Sequence, residues 1–126
     1  MSNKHGHFHW NELISHDPEA ARAFYAKAIG WTFDEMDMGS MTYWVANEGG
    51  QPVAGVMGFT DDMPKEMPSH WMSYLAVDDI DKRVAEAEAA GATIVTKPFD
   101  VPNVGRIAML KDPSGGFIGW MTPADA

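Results

Sequence analysis

Histidines 5, 7 and 9 alternate along the chain. A strand would point all three imidazoles to one face, a spacing suited to holding a metal. The plainer reading of the same residues is a solvent-exposed N-terminal arm. Glu12 shares a strand face with Trp10 and Ile14. In a largely apolar pocket such a carboxylate would have its pKa raised and could act as general acid or base. Otherwise it serves as a structural partner, of Arg106 or of neighbouring backbone. Arg106 could hold an anionic ligand through two parallel hydrogen bonds, or simply pair at the surface. Trp10, Trp44, Tyr74, Phe117 and Trp120, with Met57, Met72 and Met121, are rigid rings and adaptable thioethers suited to a flat apolar ligand, and equally suited to filling a core. By strand parity Met72 and Tyr74 go with Trp10, and Phe117 and Met121 go with Gly119. There is no Ser-His-Asp arrangement, and Gly115-Gly116 sits in a strand turn rather than before a helix, so it is no nucleotide loop.

Composition narrows the partners. Nine Lys and Arg stand against 18 Asp and Glu, a formal charge of −9, which repels phosphate backbones and anionic lipid. Neither nucleic acid nor membrane is therefore an expected partner. Cysteine is absent, which removes disulfides, thiolate metal sites and a Cys nucleophile. No apolar run approaches the ~20 residues of a membrane span. The stretch Met1 to Trp10 is polar and His-rich, with no secretory core, so a cytoplasmic protein is expected.

The elements that must position these residues come in two copies. Sliding the chain on itself by 61 positions lays His9-Trp10 on His70-Trp71, Asp17 on Asp78, Gly30 on Gly91, Gly55 on Gly116 and Gly58 on Gly119. These are cap and turn positions, where backbone geometry restricts residue choice. In the first copy a strand from about His7 to Ser15 leads to Asp17 as N-cap and Pro18 as first helical residue. Ala21, Phe24, Tyr25, Ala28 and Ile29 then form an apolar stripe closed by Gly30. Strands follow at Trp31–Asp37, Met41–Asn47 and Val53–Phe59, the last two joined by Glu48-Gly49-Gly50. In the second copy Asp78 or Asp79 caps a helix striped by Ile80, Val84 and Ala87 and closed by Gly91. Strands follow at Thr93–Phe99, Gly105–Leu110 and Phe117–Thr122. The expected fold is α+β: one domain over 1–126 made of two βαβββ modules, about 5–59 and 70–122, joined by a linker at 60–69. Their curved mixed sheets pair around a central cleft, and ligands favour such concave junctions.

Phe24-Tyr25 followed by Ile29-Gly30-Trp31 is similar to a signature of the vicinal oxygen chelate superfamily, which holds glyoxalases, bleomycin-resistance proteins and extradiol dioxygenases. Gly105-Arg106-Ile107-Ala108-Met109-Leu110 before Asp112-Pro113-Ser114-Gly115 resembles its C-terminal signature. The opening His5-Gly6-x-Phe8-x-Trp10-x-Glu12-Leu13 is similar to a glyoxalase-like subgroup. The resemblance implies that the face of Trp10 and Glu12 lines the cleft, that the protein is a homodimer, and that His or Glu on the first and last strand of each module would hold a divalent metal.

Carried over residue by residue, those ligand positions fall on Trp10, Gly55, Met72 and Gly119, none of which ligates such a metal usefully. A shift of one residue offers Ala54, Val56, Trp71, Ser73, Ile118 or Trp120, and only His9, with its repeat mate His70, as a fallback. The reading that follows is a protein without cofactor, binding a small, partly aromatic ligand against Trp10, Glu12, Met72, Tyr74, Arg106, Phe117, Gly119 and Met121. The alternative is a lyase, isomerase or dioxygenase using a divalent metal on relocated ligands, or Glu12 as catalytic acid–base. A third reading is a non-catalytic interaction module.

Overall fold

The computed structural model describes residues 4–39, 41–61 and 63–124. The first three positions of the N-terminal stretch, position 40, one linker position and the last two residues thus lie outside the described residues. The elements run β1 (Phe8–Ser15), α1 (Pro18–Ile29), β2 (Thr32–Asp37), β3 (Thr42–Glu48), β4 (Gln51–Gly58), β5 (His70–Ala76), α2 (Ile80–Ala89), β6 (Thr93–Val101), β7 (Gly105–Lys111) and β8 (Phe117–Pro123). This is βαβββ twice, an α+β chain. It divides into two compact units: Trp10–Met72, and the residues from Ser73 onward together with the N-terminal arm as far as His9. The arm is tied to the second unit by backbone. Gly6 N–H donates to the Ala76 carbonyl and Ala76 N–H to that of His7, both at 2.8 Å.

The two modules repeat one strand order. In the first it is β2-β3-β4-β1, in the second β6-β7-β8-β5. The first and last strands of each module are parallel neighbours, and the remaining pairs are antiparallel. A parallel pair needs a crossover, which each helix opens. Asp17 accepts from Ala20 N–H at 3.1 Å to start α1 behind Pro18, and Gly30 ends it in the left-handed region. Asp79, rather than Asp78, caps α2 by accepting from Lys82 N–H at 3.3 Å. Gly49 and Gly50 both take positive φ, 60° and 81°, as the tight β3–β4 hairpin requires.

The helices differ in what they bury. From α2, Ile80 and Val84 join Val77 and Ala108 in a core against which Ile94 and Trp120 pack. No residue of α1 is fully buried. The stripe expected there is only partly seated: Tyr25 stacks on Trp31 at 5.2 Å, whereas Phe24 and Ile29 are 61% and 54% exposed. Under α1 the buried side chains come from the sheet, chiefly Leu13, Ala46, Ala54 and Val56.

Candidate functional site

The register of module one decides which side chains share a face. Glu12 lies opposite Gly55 and Ile14 opposite Met57 on the parallel pair. Tyr43 lies opposite Met57 and Val45 opposite Gly55 on the antiparallel pair. Because side chains alternate, Trp10, Glu12, Tyr43, Gly55 and Met57 occupy one face. Leu13, Trp44, Ala46 and Val56 occupy the other, where α1 packs: the Arg22 guanidinium lies 4.1 Å from the Trp44 ring centre.

On the helix-free face a directed chain of hydrogen bonds is built from three residues. Trp10 Nε1–H donates to Tyr43 Oη at 2.9 Å, and Tyr43 Oη–H donates to Glu12 Oε1 at 2.9 Å. Glu12 is only 8% exposed. Burial first, and then the charge of Glu12, push the Tyr43 phenol well above the usual tyrosine pKa; the Trp10 hydrogen bond acts in the opposite sense. The phenol is therefore a donor throughout the physiological range, and a charged acceptor makes its bond to Glu12 the stronger kind.

Tyr43 reaches Glu12 because Gly55 has no side chain. A Cβ at position 55 would fall inside the Tyr43 hydroxyl. The sequence reading did not single out Tyr43. The signal was there, since on an antiparallel pair a residue reaches its diagonal neighbour. From Tyr43 that neighbour on β4 is Gly55, but the register had to be known first.

In module two Tyr74 lies opposite Gly119 and Met121 opposite Ile107. These residues face away from α2, whose side of the sheet carries Ala108 and Trp120. Tyr74 and Met121 are 4% and 3% exposed, whereas Phe117, at the strand start, is 37% exposed. Arg106 stands apart. Opposite Thr122, it lies on the α2 side, where its Nε and Nη2 donate to the two oxygens of Asp81 at 3.0 and 3.1 Å and Nη1 lies 3.2 Å from Asp100. Met72 is buried and belongs by its contacts to the first unit. The histidines are engaged elsewhere. His5 Nδ1 accepts from Asp78 N–H at 3.0 Å, His70 Nδ1 lies 2.8 Å from the Pro68 carbonyl, and His9 is exposed.

Of the ligand positions that the resemblance implies, Gly55 has Glu12 as its neighbour on β1 and Gly119 has Tyr74 as its neighbour on β5. Module one thus offers one carboxylate and a glycine, and module two a phenol and a glycine. Glu12 Oε1 is taken by Tyr43, whose hydroxyl fills the space a ligand at position 55 would need. Among the described residues no three His, Asp or Glu converge as a metal would require. These residues do not fit a divalent ion at that position.

No helix among the described residues is long and apolar enough to cross a membrane. Residues 6–118 match the Glyoxalase/Bleomycin resistance protein/Dioxygenase superfamily. The chain is 40% identical over 125 residues to CFP32 of Mycobacterium bovis, a protein named as a candidate glyoxylase, covering 98% of this chain and 47% of that one. It is 33% identical over 124 residues to the anthracycline biosynthesis protein DnrV of Streptomyces peucetius, covering 88% and 45%. The chain therefore spans about half the length of these curated relatives. Among solved structures, methylmalonyl-CoA epimerase of Mycobacterium tuberculosis has the same fold, with a TM-score of 0.69 at 16% identity over 98% of this chain and 93% of that one. By its sequence match and its fold, the chain belongs to the glyoxalase, bleomycin resistance protein and dioxygenase superfamily.

Proposed function

We propose that this chain binds a small, flat, partly aromatic ligand against Trp10, Tyr43 and Glu12, without a resident metal. The observation that carries the reading is the hydrogen-bond chain from Trp10 through Tyr43 to Glu12. It holds an indole and a phenol in fixed orientation beside a buried carboxylate, so little side-chain entropy is lost when a ring docks on them. A relative named for anthracycline biosynthesis supports a flat carbocyclic ligand. Within module two, Tyr74 and Met121 share the sheet face of Gly119 and offer an apolar surface of their own.

The test is titration with an anthraquinone and an anthracycline, read by calorimetry. Trp10→Ala is expected to weaken binding about tenfold or more, an indole being worth at least ~1.4 kcal/mol at such a site, in a chain that still unfolds cooperatively. Undiminished affinity in that variant would remove the ligand from this face. Elemental analysis of tag-free protein tests the metal-free half of the reading. One tightly held divalent ion per chain, with a raised melting temperature, would overturn it.

The buried Glu12 carboxylate favours one second reading, proton transfer at a carbon beside a carbonyl in a lyase or isomerase reaction. Glu12→Gln abolishes turnover on this reading, and activity surviving that change excludes it. The assembly proposed is a cytoplasmic homodimer. Exposed Phe24, Ile29 and Trp71 support self-association, as do relatives that carry about as much chain again. Sedimentation as a monomer at micromolar concentration counts against it.

A further inference from the structure

The chain carries ten methionines and no cysteine, so thioether sulfur is its only soft side-chain donor. Three of the ten gather at one place, the tip of the β2–β3 hairpin: Met36, Met38 and Met41. Strand pairing fixes where they stand. Met36 lies opposite Tyr43 and Asp37 opposite Thr42, and the Met38 N–H donates to the Met41 carbonyl at 2.9 Å. Met38 and Met41 are therefore the next opposed pair, the one that closes the hairpin. Side chains alternate along a strand and directly opposed residues share a face, so all three thioethers stand on one face. Gly39 takes a φ of 87° between them, and Asp37 Oδ1 accepts from its N–H at 2.9 Å, so the turn is shaped by its own residues.

Packing does not account for them. Met36 and Met38 are 46% and 41% exposed, and Met41 is only partly buried. The matching hairpin of module two, β6–β7, turns through Val101-Pro102-Asn103-Val104-Gly105 without a sulfur, so a hairpin in this place does not require one. Single exposed apolar side chains are ordinary, but three adjacent ones on one face mark a binding surface. The spacing suits a single ion. Directly opposed residues such as Met38 and Met41 have Cβ atoms ~4.5–5.5 Å apart. Met36 and Met38, two residues apart on one strand, are separated by ~6.6 Å. Each sulfur lies two bonds beyond its Cβ on an unbranched, adaptable chain, so the three can converge. Neutral thioethers are poor ligands for hard divalent ions and select copper(I). A formal charge of −9 also favours a cation over an anion at this surface.

We propose that Met36, Met38 and Met41 form a three-sulfur site for one soft monovalent cation of the copper(I) class. The site uses neither Trp10, Tyr43 nor Glu12, so it does not depend on what those residues bind. Its ion is monovalent and soft, so it is distinct from the divalent ion that the positions around Gly55 and Gly119 do not fit.

Methionine methyl resonances of the whole chain test this directly, with silver(I) in chloride-free buffer as a redox-inert probe. The variants Met36→Leu, Met38→Leu and Met41→Leu each remove one signal and so assign the three. On titration these three methyls are expected to shift together and saturate at one silver per chain, with no such response to zinc(II). Each single variant is expected to weaken silver binding about tenfold or more, and the triple variant to abolish it. Movement of fewer than three of these methyls, the same movement with zinc(II), or silver taken up at the histidine rings instead overturns the proposal. A second measurement needs no variant. X-ray absorption of the wild-type chain loaded anaerobically with one equivalent of copper(I) is expected to show three sulfur neighbours. A shell of nitrogen or oxygen overturns the proposal as well.

Discussion

Beneath α2, Val84 and Ile80 close over Ala108 and Trp120 in an apolar contact. Beneath α1, the matching positions hold Arg22 stacked on Trp44, and no residue of that helix is fully buried. The modules share strand order, an Asp at the helix N-cap and strand pairing, yet one buries its helix in an apolar core while the other keeps a charge in the contact. Their helix-free faces diverge too. Module two places Tyr74 beside Gly119, and module one places Glu12 beside Gly55 with Tyr43 arching over the glycine. A duplicated scaffold has thus been specialised unequally, with the polar chemistry gathered in module one.

The largest expected effect sharpens the contrast between the helices. Ile80→Ala removes a side chain only 2% exposed and should cost about 2–5 kcal/mol, measured by urea unfolding. Pro18, its counterpart at the start of α1, should be far more tolerant of alanine; equal losses at the two positions would dissolve the distinction.

Next comes the glycine on which the Glu12 arrangement rests. Gly55→Ala forces Tyr43 out of its seat and should cost roughly 1–3 kcal/mol by overpacking. In a Tyr43→Ala background the same change should cost much less. A double-mutant cycle without coupling would mean that Tyr43 does not occupy the space above Gly55 in solution.

The smallest effect is a pH dependence. The folded state raises the Tyr43 pKa above its ordinary value of 10.0, so above that pH it retains a proton that the unfolded chain releases. Stability from this group is complete below about pH 10 and falls as the pH rises toward the folded value. Tyr43→Phe should flatten that alkaline limb. At neutral pH it should cost on the order of 1 kcal/mol, because Trp10 loses an acceptor and Glu12 a donor. An unchanged alkaline limb in Tyr43→Phe would assign the dependence to other groups.

Much of the fold was legible in single residues. Asp17, Pro18 and Gly30 mark α1 because their backbone geometry is local, and Gly49-Gly50 marks the hairpin for the same reason. Trp10 and Glu12 were found as a pair because alternation along one strand needs no partner strand. Arg106 could be read toward a ligand or toward the surface. In the fold it is ion-paired to Asp81 on α2, 25 positions away, and to Asp100 across the β6–β7 turn, and only the first of these lies far from it in sequence.

By itself the sequence determined the repeated βαβββ order, the caps and turns, the acidic surface and the absence of thiol chemistry. Each of these depends on residues that are neighbours along the chain or on composition alone. Only the tertiary structure decided that Tyr43 bridges Trp10 and Glu12 over Gly55, that Glu12 rather than Trp10 stands beside that glycine, and that Arg22 lies over the Trp44 ring. Those outcomes hang on strand register and on helix seating. A slip of one residue in register would turn every side chain of the strand to the other face, and no hairpin turn fixes the register of the parallel β1–β4 pair.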